Sequence, residues 1–233
     1  INQSESASQQ ETFFYLKLAD KTFNAFLQKD YLSDIKVTPI IKHFKIFSEL
    51  DELAKEEEAD LIVMGSKGTN GLQEMFIGSN TEKVIRYANL PVLVVKEKPL
   101  TKKIEKVVFA CDFTKADVTP YLKAKSFFDK LGCDLELMYV NTPTNDFKSS
   151  EELEKEMKTF FKTVNEAAEN IEKVKVVSDY TVERGVLYYD EKSNEDIIAV
   201  ATQGRKGISH FFEGSISEDI ANHSKLPIVS FKI

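Results

Sequence analysis

The chain has 233 residues, of which 42% are apolar, and a formal net charge of −7 at pH 7. This length accommodates one or two globular domains. The negative charge argues against nucleic acid as a partner, because phosphate backbones are bound by basic surfaces. The sequence has no apolar run of the ~18 residues that a membrane-spanning helix needs and no signal peptide at its start. We therefore expect no membrane partner and a cytoplasmic location.

The first hundred residues alternate between helical and strand patterns. Apolar residues recur at helical spacing early in the chain, whereas the later apolar runs are short and continuous, as in buried parallel strands. Pro39 favours an edge position or a bulge for the first strand, because proline has no N–H to donate to a sheet. The predicted elements are a helix over 11–29, a strand over 35–41, a helix over 48–57, a strand over 61–64, a helix over 79–88 and a strand over 92–95.

A charged segment with a proline in it, residues 96–103, is the one convincing linker. The alternation of strands and helices resumes beyond it, and Ser149 with Glu152 forms a capping box at the start of one helix. The predicted elements are a strand over 104–110, a helix ending at 131, a strand over 135–140, a helix over 149–172, a strand over 174–177, a helix over 186–192 and strands over 197–200 and 228–231.

Residues 61–95 and 197–231 share one layout, which indicates an internal duplication. Identical residues recur at a constant offset of 136 positions, in the pairs Gly68/Gly204, Gly71/Gly207, Phe76/Phe212, Gly78/Gly214, Ser79/Ser215, Glu82/Glu218 and Pro91/Pro227. The same offset places the beginning of the first copy before residue 1. We therefore interpret residues 1–98 as a first domain without its first strand and helix, and residues 102–233 as a second, complete domain.

Strands that alternate with helices predict an α/β fold, here two doubly wound, Rossmann-like parallel-sheet domains in tandem. In such sheets, ligands bind beyond the carboxyl ends of the strands, at the point where the strand order reverses. Both glycine loops and Asp112 follow predicted strands directly. The sequence therefore predicts that they lie at one functional edge of the fold.

The loop after residue 64 has the features of a phosphate-binding site. Gly65 and Gly68 allow backbone N–H groups to approach an anion, and Lys67 adds a positive charge. Gly78 and Ser79 begin a helix, whose unpaired N–H groups and dipole also favour an anion. The alternative is that the glycines only form turns, but the full spacing after a buried strand favours phosphate binding.

The loop differs from the common catalytic phosphate motifs. It lacks the Lys-Ser/Thr pair of the P-loop and the Gly-x-Gly-x-x-Gly spacing of dinucleotide-binding proteins. Phosphoryl transfer also needs a metal site and a positioned base. The three histidines show no metal-ligand spacing, and neither Ser79 nor Ser215 has a recognisable partner base. We therefore expect no catalytic residues, no bound structural metal and no robust enzyme activity.

The spacing Gly65-x2-Gly68-x9-Gly78-Ser79 resembles the signature of the ATP-binding branch of the universal stress protein family. The whole chain is similar to a tandem member of that family. The resemblance implies a five-stranded fold of the adenine nucleotide alpha hydrolase-like type in each domain. It also implies a bound ATP or AMP, with or without Mg²⁺, and an aspartate after the first strand close to the adenosine.

The resemblance carries over to particular residues in each repeat. In repeat one, Ser66 and Lys67 lie between the matching positions Met64, Gly65, Gly68, Gly78, Ser79 and Asn80. In repeat two, the aspartate is Asp112, and the matching loop positions are Val200, Ala201, Gly204, Gly214, Ser215 and Ile216, with Arg205 as a nearby charge.

Ala201 departs from the family pattern, because a glycine is expected there. If that position needs positive φ or close ligand approach, alanine costs about 1 kcal/mol or blocks the ligand. We therefore expect repeat one to bind phosphate better.

The last strand of each repeat would lie at a sheet edge, where an exposed apolar strand needs a neighbour. In the family these strands pair two domains about a two-fold axis, so we expect an intramolecular pseudo-dimer here, with a homodimer of the whole chain as a further possibility. Three functional hypotheses remain open. They are a nucleotide-binding stress-response module, a ligand-free scaffold that acts through protein contacts, and a slow ATPase or kinase-like enzyme.

Overall fold

The structure, a computed structural model, describes residues 3–40, 48–66, 79–96, 103–143, 147–202, 220 and 223–233. The chain divides into two compact units, Ile1–Lys45 and Ile46–Ile233. The first unit contains helix α1 (Gln3–Leu27) and a short 3-10 helix (Asp30–Leu32). None of the described helices is long and apolar enough to cross a membrane.

Among its described residues, the second unit is built on one seven-stranded sheet. Its strands are β1 (Ile62–Gly65), β2 (Val92–Val95), β3 (Lys106–Ala110), β4 (Asp134–Asn141), β5 (Lys175–Ser178), β6 (Ile197–Thr202) and β7 (Ile228–Lys232). Its helices are α2 (Ser48–Glu56), α3 (Ser79–Tyr87), α4 (Lys115–Leu131), α5 (Ser150–Thr163) and α6 (Val182–Lys192), with a 3-10 helix at Ala168–Lys173. The strand order is β1-β2-β7-β6-β3-β4-β5.

Repeat two forms a doubly wound parallel sheet in the order β5-β4-β3-β6-β7. From β3 the chain moves outward through β4 and β5, and it then returns to the other side of β3 through β6 and β7. The strand order therefore reverses between β3 and β6, which defines the crevice where ligands of such sheets bind. Helices α4 and α5 cover one face of the sheet, the α4–α5 face, and α3 and α6 cover the other, the α3–α6 face.

The two repeats are joined by an antiparallel pairing of their last strands, β2 and β7. This pairing confirms the expectation that the final strands meet within one chain. The duplication is also visible in the register. In repeat one Ile62 lies opposite Val92, and in repeat two Ile198 lies opposite Ile228, at the same 136-residue offset. The predicted domain limits, 1–98 and 102–233, remain a prediction, because residues 97–102 lie outside the described part of the chain.

The predicted strand at 35–41 is wrong over the residues that the structure describes, because residues 36–40 are neither strand nor helix. Its counterpart in repeat two is β5, which among the described residues is hydrogen-bonded to β4. The positions of repeat one that match β4 end at Glu5, and α1 already begins at Gln3. A strand needs a hydrogen-bonded neighbour, and the described residues at those positions form a helix, not a strand.

The helix predicted to run to residue 172 ends earlier. The capping box is present, since Ser149 accepts a hydrogen bond from the Glu152 N–H and Glu152 accepts one from the Ser149 N–H. The helix α5 ends at Thr163, and Asn165 adopts a positive φ of 58°. A residue in the left-handed region ends a helix, and asparagine tolerates that region better than most side chains. A 3-10 helix then replaces the predicted continuation.

Candidate functional site

A buried threonine holds together the two ends of the glycine loop in repeat one. The hydroxyl of Thr81, in the first turn of α3, donates a hydrogen bond of 2.9 Å to the carbonyl oxygen of Gly65, the last residue of β1. Thr81 is 4% exposed. Beyond β1, the N–H of Ser66 donates to the carbonyl of Val95 at 3.0 Å, so the two strands stay paired up to the loop. The start of α3 is therefore fixed beside the carboxyl end of β1.

The first turn of α3 supplies the chemistry of an anion site. The first N–H groups of a helix have no partner within the helix, and the helix dipole makes that end electropositive. Ser79 begins α3, and the exposed Asn80 follows it. Of the residues predicted for repeat one, the structure thus brings together Met64, Gly65 and Ser66 at the end of β1 with Ser79 and Asn80 in α3. Lys67, Gly68 and Gly78 lie outside the described residues.

Ala201 occupies the glycine position of repeat two without backbone strain. It lies within β6, paired with Phe231, and its equivalent Gly65 lies within β1. Among the described glycines, positive φ occurs at Gly132. The Ala201 side chain packs into the core of the α4–α5 face. The condition of a positive φ is therefore not met, and the cost expected from it does not arise. The other predicted loop residues of repeat two, Gly204, Arg205, Gly214, Ser215 and Ile216, lie outside the described residues.

Asp112 lies just beyond β3, at the edge of the crevice between β3 and β6. The N–H of Cys111 still pairs with the carbonyl of Met138 in β4, at 2.9 Å. Phe113 then turns the backbone with a φ of 60°. Phenylalanine in this region costs about 1 kcal/mol or more, and its buried ring, packed against Tyr139 and Phe160, offsets that cost. This turn leaves the half-buried Asp112 at the carboxyl edge of the sheet, as predicted.

Lys148 lies near Asp112, although the sequence did not predict it as a site residue. Lys148 precedes α5, and its ammonium group lies 5.3 Å from the ring centroid of Tyr139 and pairs with Glu156. Burial alone would lower the pKa of Lys148, but the hydrogen bond to Glu156 and the charge of Asp112 hold the pKa above its ordinary value. Sequence spacing gives no signal for this lysine, because the contact depends on how the loop after β4 folds back.

The amino-terminal edge of the sheet also has a cavity, which is lined by polar side chains that bond one another. A cavity of about 350 Å³ lies there between α4, the end of α5 and β4. The half-buried Glu166 accepts hydrogen bonds from Tyr121 (3.1 Å) and Asn170 (2.9 Å) and lies 3.5 Å from Lys125. The polar groups thus satisfy one another, which indicates a structural network. Within the described ranges, no group of three His, Cys, Asp or Glu side chains is placed to hold a metal ion.

Comparison with known proteins identifies the family. The family model described as the universal stress protein family matches residues 3–96 and again residues 103–232. These matches cover most of the chain, so it belongs to the universal stress protein family, with two such domains in tandem.

Individual relatives agree with this assignment. A universal stress protein from Methanocaldococcus jannaschii is 44% identical over 72 residues, which are 30% of this chain and 44% of that protein. Another, from Synechocystis, is 24% identical over 176 residues, which are 74% of this chain and 58% of that protein. The matches therefore span less than two thirds of either relative. The crystal structure of a universal stress protein from Archaeoglobus fulgidus shares the fold, with a TM-score of 0.68 at 24% identity, over 93% of this chain and 78% of that one.

Proposed function

We propose that this protein is a stress-response module that binds an adenine nucleotide, ATP or AMP, at the carboxyl edge of its sheet. The observation that carries the proposal is the bond from Thr81 to Gly65, which fixes the first turn of α3 beside the end of β1. Helix N–H groups so placed favour a phosphate group. The glycine spacing of the loop and the membership of the universal stress protein family support a nucleotide as the source of that phosphate.

We further propose that binding occurs without robust turnover. Hydrolysis would need a metal ion and a group that positions the attacking water, and the sequence offers no motif for either. A magnesium-dependent phosphate-release assay on the purified chain tests this part. We expect release at the rate of the buffer blank, and release that is lost on Lys67→Ala would instead favour the ATPase hypothesis.

Calorimetric titration with ATP and AMP tests the binding proposal. We expect Gly68→Val to abolish binding to repeat one while the fold persists, because a side chain there blocks approach of the anion to the backbone. Gly204→Val, at the equivalent position of repeat two, is the matched variant, and we expect it to leave the stronger site intact. If the unmodified chain binds neither nucleotide, the ligand-free scaffold becomes the better description.

A further inference from the structure

Lys148 is held in place by its backbone as well as by its side chain. The side-chain amide of Asn141, the last residue of β4, donates to the Lys148 carbonyl at 2.9 Å and accepts from the Lys148 N–H at 3.1 Å. The ammonium group pairs with Glu156 and lies over the ring of Tyr139. These contacts place a fixed cation at the carboxyl end of β4, next to β3, the strand that Asp112 follows.

The groups around this cation are predominantly acidic. Burial raises the pKa of Asp117, whereas hydrogen bonds from Thr114 and the charge of Lys148 act to lower it. The charges of Asp112 and Glu156 in turn favour the protonated form of Lys148. Lys148 is therefore charged at neutral pH, and it offsets part of the negative charge of these three carboxylates.

The positive charge of Lys148 is a feature of repeat two alone. At the 136-residue offset, Lys148 matches Thr12, so the sequence of repeat one has no cation at the equivalent position. Repeat two in turn has Ala201 where repeat one has a glycine. The two repeats thus differ at two positions that bear on anion binding: repeat one has the glycine at residue 65, and repeat two has the lysine at residue 148.

We propose that Lys148 is a specificity-determining residue of repeat two, which makes its site accept a nucleotide that carries phosphate in preference to the uncharged nucleoside. This inference rests on the proposed nucleotide-binding function. The physical reason is Coulombic: Lys148 supplies one positive charge among the carboxylates of Asp112, Asp117 and Glu156. Its loss makes the local potential more negative, which disfavours phosphate, whereas a neutral nucleoside is almost indifferent to that charge.

The test compares ATP and adenosine affinities by calorimetry in the full chain carrying Gly68→Val, so that the heat comes from repeat two. Lys148→Met keeps the apolar stem and removes the charge. We expect it to weaken ATP binding about five- to tenfold and to change adenosine binding less than about twofold. Lys148→Arg should restore the preference for ATP. Lys158→Met, which removes an exposed ion pair with Glu154 on the same helix, is the matched control and should behave like the parent chain.

The outcomes separate this inference from the function on which it rests. If the unmodified chain binds no ATP, the proposed function fails. If the unmodified chain binds ATP but the Gly68→Val chain does not, or if Lys148→Met leaves the ATP affinity unchanged, the role of Lys148 is overturned while the function stands. An equal loss of ATP and adenosine affinity would also overturn it, because it would show a structural role.

Discussion

Leu93 of β2 and Val229 of β7 lie opposite one another, and they are equivalent residues of the two repeats. The two neighbouring pairs are Val92 with Ser230 and Val94 with Ile228. At the 136-residue offset, Val92 is equivalent to Ile228 and Val94 to Ser230, so each pair is the counterpart of the other. A local two-fold axis therefore passes through the Leu93–Val229 pair. The repeats meet through one surface used twice, as in a symmetric dimer, but within a single chain.

This register can be tested by cross-linking. Directly opposed residues of antiparallel strands have Cα atoms about 4.5–5.5 Å apart, which suits a disulfide. We expect Leu93→Cys with Val229→Cys to form an intramolecular disulfide under mild oxidation, seen as a mass loss of about two hydrogens and faster migration on a non-reducing gel. Leu93→Cys with Phe231→Cys is the control, because diagonal pairs are about 7–8 Å apart. Cross-linking of the control pair instead would show a shifted register.

The hydrogen bond from Thr81 to Gly65, which we call the Thr81 clasp, should stabilise the fold and favour ATP binding. Thr81→Val removes the hydroxyl and leaves the Gly65 carbonyl without that donor, so we expect a loss of about 1–2 kcal/mol in the free energy of unfolding and weaker ATP binding. Thr159→Val removes a similar hydroxyl-to-carbonyl bond, to Lys155, on the exposed face of α5 and should cost less. Urea unfolding and calorimetry measure both effects. Full ATP affinity in a folded Thr81→Val chain would show that the clasp does not order the site.

Buried aspartates secure the turn before the last strand in each repeat. Asp51 of α2 accepts from the N–H of Asn89, and Asp190 of α6 accepts from the N–H of Lys225 at the equivalent position. At the 136-residue offset, Asp51 matches residue 187, which lies about one helical turn before Asp190. The two repeats therefore make the same contact from different positions of equivalent helices.

The neighbouring Glu191 provides a control for Asp190, since both contact Lys225. Asp190 is 8% exposed, whereas the ion pair of Glu191 with the Lys225 ammonium is exposed at both ends. We expect Asp190→Ala to lower the free energy of unfolding by about 1–2 kcal/mol and Glu191→Ala to change it by about 0.5 kcal/mol or less. Equal effects in urea unfolding would contradict this assignment.

Glu195 makes stability depend on pH. Burial raises the pKa of Glu195, and the charge of Glu136 adds to this, although the hydrogen bond from Tyr189 opposes it. The folded state therefore holds this proton more tightly than the unfolded state does. Stability should fall as pH rises from about 4.3, the ordinary value for glutamate, through the folded-state pKa.

Glu195→Gln removes this titration while keeping an acceptor for Tyr189. We expect the variant to gain stability relative to the parent chain as pH rises from about 4 to 7, as measured by urea unfolding at several pH values. A constant difference between the two proteins across that range would rule out a raised pKa at Glu195.

The duplication made much of the fold predictable, because equivalent residues formed strands with the same register in both copies. β1, β2, β6 and β7 all lie within two residues of their predicted limits. The strand predicted at 35–41 failed because an apolar pattern cannot show whether a neighbouring strand is available to pair with it. The predicted helix to residue 172 failed because the periodicity continues past Asn165, where the backbone turns.

The candidate site was predictable in position but not in its supporting contacts. Strand ends and glycine spacing placed Gly65 and Asp112 at the carboxyl edge. The clasp from Thr81 spans 16 residues, and the placement of Lys148 depends on the loop that follows β4. Contacts of this kind arise from the tertiary fold, so no local pattern in the sequence predicts them.

The most direct test of the account follows backbone amide resonances of the full chain during titration with ATP. We predict saturable shifts at Ser66 and Asn80, beside the glycine loop of repeat one, and no shift at Glu105 or Asp196, which lie at the opposite edge of the sheet. Shifts confined to that opposite edge, or none at ATP concentrations in the millimolar range typical of cells, would contradict nucleotide binding at the carboxyl edge.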